Sequence, residues 1–243
     1  MIFDSINPAN GDKVNSFERM SDDEVQLILH KCAEAQRGWA NTPFSERARL
    51  LTAVADLLLE NRHTYAQLMT EEMGKVYAQG IAEVEKCAWG CRYYAEHAER
   101  FLAPEDVATE AHHSFVSYKP LGVVLAVMPW NFPLWQVFRF AAPALMAGNA
   151  ALLKHAPNVF GCALLIENIF AEAGLPANLF RSLIIDVPQT TRVIHNPLVA
   201  AVSITSSVAA GRAVASEAGK VLKKCVLELG GSDAFIVLED ADI

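Results

Sequence analysis

The sequence predicts an α/β fold built on a doubly wound parallel sheet. Three observations carry that expectation. From Leu121 onward, short apolar runs alternate with helical patterns. Such runs suit strands covered on both faces, and the helices between them suit βαβ crossovers. The first hundred residues, by contrast, carry helical periodicity. No internal repeat, low-complexity tract or linker divides the chain, so residues 1–243 read as one globular unit with a helical N-terminal annex.

Each element has its own signal. Asn10-Gly11 marks a tight turn. Ser21 opens S-D-D-E, a capping box, followed by Val25, Leu27, Ile28 and Leu29. Pro43 starts a second helix with Leu50, Leu51, Val54, Leu57 and Leu58 at helical spacing. A third, from about Val76 to Arg100, follows the breaker Gly74 and puts Ile81, Val84, Cys87, Ala88 and Cys91 on one face. From about 102 to 120 the pattern changes to Pro104, His112-His113 and the alternating Phe115, Val116 and Tyr118, which predicts a protruding β-hairpin. Next come a strand at 121–128, a helix at 133–146, a strand at 150–154 and a helix at 158–173 ending at Gly174. Strands at 179–185 and 198–204, a helix at 209–220 and the runs VLEL and AFIVL as strands complete the pattern.

Composition excludes several function classes. Lys plus Arg is 20 and Asp plus Glu is 28, a net charge of −8. A nucleic-acid binder needs the opposite balance to displace counterions from phosphates. Apolar residues at 52% exclude a disordered chain. Five cysteines (Cys32, Cys87, Cys91, Cys162, Cys225) have no repeated spacing, so they predict neither a disulfide framework nor a metal site, and they suit reduced thiols in a cytoplasm. The most apolar stretch is broken by Pro129, Pro133 and Pro143, which excludes a spanning helix, and the N-terminus shows no signal-peptide pattern.

No G-x-G-x-x-G follows any strand, so the standard dinucleotide fingerprint is missing. Other strand ends hold the chemistry. Thr205, Ser206, Ser207 and Gly211 precede or open a helix, where small residues let a pyrophosphate approach backbone N–H groups; an ordinary serine cap is the alternative. In M-P-W-N-F-P two prolines stiffen the backbone around Trp130 and Asn131, whose amide suits an oxyanion; the alternative is a polar turn residue. Lys154 at a strand end can reach ribose hydroxyls or phosphate, and Glu228 before Gly230-Gly231 can act as a general base. Either can also be a plain surface charge.

In order and at these spacings, PWNFP, LLK, T-S-S-V-A-A-G and LELGGSDAFIVLEDADI resemble the aldehyde dehydrogenase superfamily. INPANGD at 6–12, EEMGK at 71–75 and Ala82-Glu83-Val84 agree with that family's N-terminal half. The resemblance implies a Rossmann-like fold and NAD- or NADP-dependent oxidation of a small aldehyde to a carboxylic acid. It assigns Asn131 to the oxyanion hole, Trp130 and Asn131 to the nicotinamide loop, and Lys154 with the following His155, Ala156 and Pro157 to the ribose side. Ser206, Ser207 and Gly211 fall at the pyrophosphate turn, Leu229 at the nicotinamide and Glu228 at the base that activates water. The hairpin implies a homo-oligomer.

Three departures accompany it. The family's nucleophilic cysteine lies beyond the position of Ile243, and Cys225 reads as a structural thiol, so the chain alone is expected not to oxidise aldehydes. Ser206 stands where the family usually has Gly. No acid follows Lys154, so NAD and NADP both stay open. PWNFPLWQVFR further resembles the succinate-semialdehyde dehydrogenase branch, which implies that Arg139 grips a substrate carboxylate, with Trp135 and Phe138 as apolar walls. The alternatives are a solvated or acid-paired Arg139 and, for the whole chain, a non-catalytic nucleotide-binding or assembly fragment.

Overall fold

The chain opens with an antiparallel hairpin of β1 (Ile2–Ile6) and β2 (Lys13–Glu18) in the computed structural model, which describes residues 1–242. Asn10-Gly11 lies in its turn, with Gly11 at φ 79°. The strands themselves replace the helical pattern expected there. Ser5 and Phe17 are the buried positions of the hairpin, so its strands carry little apolar alternation to read. Phe3 and Phe17 meet Phe160 edge-on, at 5.1 and 6.0 Å between ring centres.

α1 (Asp22–Trp39) begins at the expected capping box, Ser21 and Glu24 each accepting from the other's backbone N–H. α2 (Phe44–Glu60) follows Pro43. α3 (Arg62–Met73) is a helix the apolar pattern does not separate, because its buried face mixes Tyr65, Ala66 and Met69 with a carboxylate, Glu72. Gly74 ends it in the left-handed region, φ 75°, and α4 (Tyr77–Phe101) is the third predicted helix. β3 (Glu105–Asp106) and β4 (Phe115–Val116) pair antiparallel within the expected excursion, leaving Phe115, Val116 and Tyr118 exposed.

The α/β half follows: β5 (Val123–Met128), α5 (Trp135–Met146), β6 (Ala150–His155), α6 (Phe160–Glu172), β7 (Phe180–Ser182), α7 (Val187–His195), β8 (Val199–Thr205), α8 (Val208–Lys220) and β9 (Lys224–Glu228). The sheet is parallel, in the order β7-β6-β5-β8-β9. β5 and β6 are buried along nearly their whole length, as strands covered on both faces must be. The chain steps outward from β5 to β7, then returns to lay β8 on the other side of β5. That reversal opens a crevice at the carboxyl ends of β5 and β8, where open parallel sheets bind ligands.

Two differences from the sequence reading concern this half. α7 is unannounced by apolar periodicity, although Asp186-Val187-Pro188-Gln189 carries a capping box. AFIVL is not a strand, and β9 is largely exposed rather than buried. Among the described residues no strand flanks β9 on its outer side, so that run has no ladder to join; Phe235 is 91% exposed.

The annex is tied to the sheet by buried charge. Arg47 of α2 donates to Met146 O (2.8 Å), Trp39 O (3.1 Å) and Ala40 O (3.0 Å), closing the C-terminal ends of α5 and α1 together. Glu72 of α3 accepts from Gly161 N (3.0 Å) and Cys162 N (2.8 Å), capping α6. A Cβ on Gly161 would stand 2.6 Å from that carboxylate, so a side chain there would have to displace the cap.

Candidate active site

A cavity of about 1130 Å³ lies at the carboxyl edge of the sheet, on the crevice. The loop after β5 supplies Trp130 and Asn131, β6 and the turn after it supply Lys154, Ala156 and Pro157, the turn after β8 supplies Ser206 and Ser207, and the end of β9 with the residue after it supplies Glu228 and Leu229. Nine sequence-predicted residues thus converge on one space, with Arg139 of α5 as a tenth.

Ser207 caps α8, its hydroxyl accepting from Ala210 N at 3.3 Å. The first-turn N–H groups of α8 have no intrahelical acceptor and carry the positive end of the helix dipole. Lys154 lies across from them; burial pushes its ammonium pKa down, and Asp186 offsets part of that. Val187, Ile194 and Val214 add an apolar wall. Cations, a helix N-terminus and a flat apolar wall suit an elongated anionic ligand with an aromatic end. Asn131 Oδ1 accepts from Phe132 N (3.1 Å), so its Nδ2 is the donor end left for a ligand. Glu228 is exposed, and its Oε2 is 3.6 Å from Arg139 Nη2, which also stands 3.5 Å from Thr205 Oγ1.

Four assigned residues sit elsewhere than expected. His155 is fully buried and does not line the cavity. Its Nε2 lies 2.8 Å from Pro133 O, and its Nδ1 lies 2.9 Å from Ala156 N and 3.2 Å from Met128 O. It anchors the loop rather than the ligand. Gly211 is also off the cavity: a Cβ there would come within 2.3 Å of Leu229, so glycine makes room for that side chain. Trp135 does not wall the cavity beside Arg139; its ring lies under Lys86 Nζ (4.2 Å) and faces Gly90. Side chains in a first turn lean back toward the helix N-terminus, and here that direction meets α4. Phe138 is 1% exposed and packs on Phe170 in the core. None of the five cysteines lines the cavity, and burial raises the pKa of Cys225.

Burial pushes His155 down to about 4, against 6.5 when solvated. The unfolded chain therefore takes up this proton first. The contribution is complete above pH ~6.5 and is lost as pH falls toward 4, a total of about 3 kcal/mol. Urea unfolding at pH 7.5 and 4.5 should show a loss smaller by about 2 kcal/mol in His155→Gln than in the parent chain. Equal losses would show that His155 does not titrate as buried.

The aldehyde dehydrogenase family model matches residues 1–243. The chain is 51% identical, over its whole length, to "Probable succinate-semialdehyde dehydrogenase (NADP(+))" of Synechocystis, covering 54% of that protein. It is 46% identical over 98% of its length to the Escherichia coli K12 succinate semialdehyde dehydrogenase (NAD(P)+), covering 52% of it. The chain thus spans about half the length of the curated relatives it matches. The crystal structure of succinic semialdehyde dehydrogenase from Streptococcus pyogenes in complex with NADP+ superposes with a TM-score of 0.94 at 37% identity, over 99% of this chain and 53% of that one. On its sequence, its sheet and its cavity, the chain belongs to the aldehyde dehydrogenase family.

Proposed function

We propose that this chain is the cofactor-binding half of an NADP-dependent dehydrogenase that oxidises succinate semialdehyde to the dicarboxylic acid. The observation that carries the reading is the convergence of Lys154, the α8 N-terminus, Asn131 and Glu228 on one cavity at the sheet's switch point. Lys154 and the first turn of α8 would hold the ribose and phosphates, and the bound nicotinamide supplies hydride acceptance. Ala156 and Pro157, which follow Lys154, carry no carboxylate, so neither repels a 2′-phosphate. Asn131 Nδ2 would donate to the substrate oxyanion, and Glu228 would take a proton from water. The thiol that attacks the aldehyde comes from outside residues 1–243 in this reading, since the chain's own cysteines lie off the cavity. Arg139 would hold the substrate's far carboxylate.

A chimera of this chain with the part of the Synechocystis relative that it does not cover tests the reading. Reduction of NADP+ by succinate semialdehyde, abolished by Glu228→Gln, is the expected result. A chimera that binds NADP+ but turns over no aldehyde would favour the nucleotide-binding fragment instead.

The reading also carries a cytoplasmic location and a homo-oligomer through the 102–120 hairpin. The exposed Phe115, Val116 and Tyr118 support the latter, because an uncovered apolar edge invites pairing. Light scattering of the chain should give an oligomer, and a monodisperse monomer at high concentration would contradict the pairing.

A further inference from the structure

We infer that the buried pair Lys75–Glu83 is a positioning device for Asn131, holding the loop between β5 and α5 by its backbone. The inference rests on the reading of Asn131 as the oxyanion donor. It is not one of the cavity's own contacts: neither Lys75 nor Glu83 lines the cavity.

The loop has few ways to hold itself. Pro129 and Pro133 lack N–H groups, and α5 has no side-chain cap of its own. Glu83 of α4 fills that place. Its Oε1 accepts from Leu134 N (2.9 Å) and Trp135 N (2.8 Å), putting a carboxylate at the positive end of α5. Lys75 donates to Asn131 O (3.0 Å) and stands 3.7 Å over the ring of Phe132. Glu83 Oε2 faces the Lys75 ammonium and accepts no other hydrogen bond. The two side chains are 6% and 1% exposed. Lys75 is itself aimed: it follows the left-handed Gly74, where a Cβ would strike Pro8, and Thr70 Oγ1 donates to Lys75 O at 2.8 Å.

Stability alone does not explain such a pair. Removing two charges from water is costly, and an apolar pair of similar volume usually serves as well or better. An apolar pair, however, would leave Asn131 O, Leu134 N and Trp135 N without partners. Those are the groups that fix where the loop runs. An oxyanion donor must be set to within about half an ångström to act, which a loop reaches only if its neighbours lock it.

The double variant Lys75→Met/Glu83→Gln separates the roles. It is neutral and similar in volume, and the amide oxygen of the introduced glutamine can still accept from Leu134 and Trp135. NMR relaxation and amide exchange of the full chain would be read with and without the substitutions. We expect protection of Leu134 and Trp135 to persist, while order parameters at Trp130–Phe132 fall from about 0.85 to below about 0.6 and those of β5 and β6 stay unchanged. Unchanged order at 130–132 would overturn the inference. So would loosening spread evenly over loop and sheet, or failure to fold, either of which would make the pair structural. The readout needs no turnover: a loosened loop in this variant, beside a chimera that oxidises no aldehyde, would sink the proposed function and leave the loop-holding role of the pair standing.

Discussion

Arg139→Ala, in the chimera described above, should raise KM for succinate semialdehyde about 10- to 100-fold and change that for butanal by less than about threefold. That range takes a charge-assisted hydrogen-bonded carboxylate as worth about 1.5–3 kcal/mol. Butanal has the same carbon chain without the carboxylate, so it isolates that contact. Arg139 lines the cavity, but its observed partner is Glu228, at 3.6 Å and half in solvent, a weak pair. A substrate carboxylate would have to compete with Glu228 for the guanidinium. Equal losses of kcat on both aldehydes would favour a second reading, in which Arg139 serves Glu228 instead of the substrate.

Arg47→Met should destabilise the chain by at least about 3 kcal/mol, read as a lower urea midpoint with an unchanged slope. Three carbonyls, Met146 O, Trp39 O and Ala40 O, share this one guanidinium where two helices end. Each buried acceptor left unpaired costs about 1–3 kcal/mol. Part of that is offset, because burial already disfavours the charge and pushes the Arg47 pKa down. Methionine keeps much of the contact with Trp39 and Phe44, so the loss reports the hydrogen bonds. A change below about 1 kcal/mol would mean that water satisfies these helix ends.

What the sequence disclosed, and what it hid, divides along physical lines. Strands buried on both faces, such as β5 and β6, are unbroken apolar runs and are legible. So are Ser21 with Glu24 and the glycine stop at Gly74, because their signals are local. The β1–β2 hairpin and α3 were hidden because their buried faces carry Ser5 and Glu72, polar residues whose partners lie far along the chain. The site shows the same division. Lys154 and Glu228 sit at the ends of strands and Asn131 and Ser207 just after them, and strand ends of a parallel sheet converge by topology. Trp135, His155 and Gly211 were misplaced because their surroundings (α4, Pro133 O and Leu229) are long-range. Lys75 and Glu83 stood within recognised motifs, yet nothing local says that they reach the PWNFP loop.

Titration of this chain with NADP+ by calorimetry, alongside Lys154→Met, asks for the cofactor site and nothing else. The parent chain should show saturable one-site binding and the variant at least a tenfold weaker affinity, the worth of about one charge-assisted contact. Absence of binding at millimolar NADP+, or equal affinity in the two proteins, would contradict a cofactor site built on Lys154 and the N-terminus of α8.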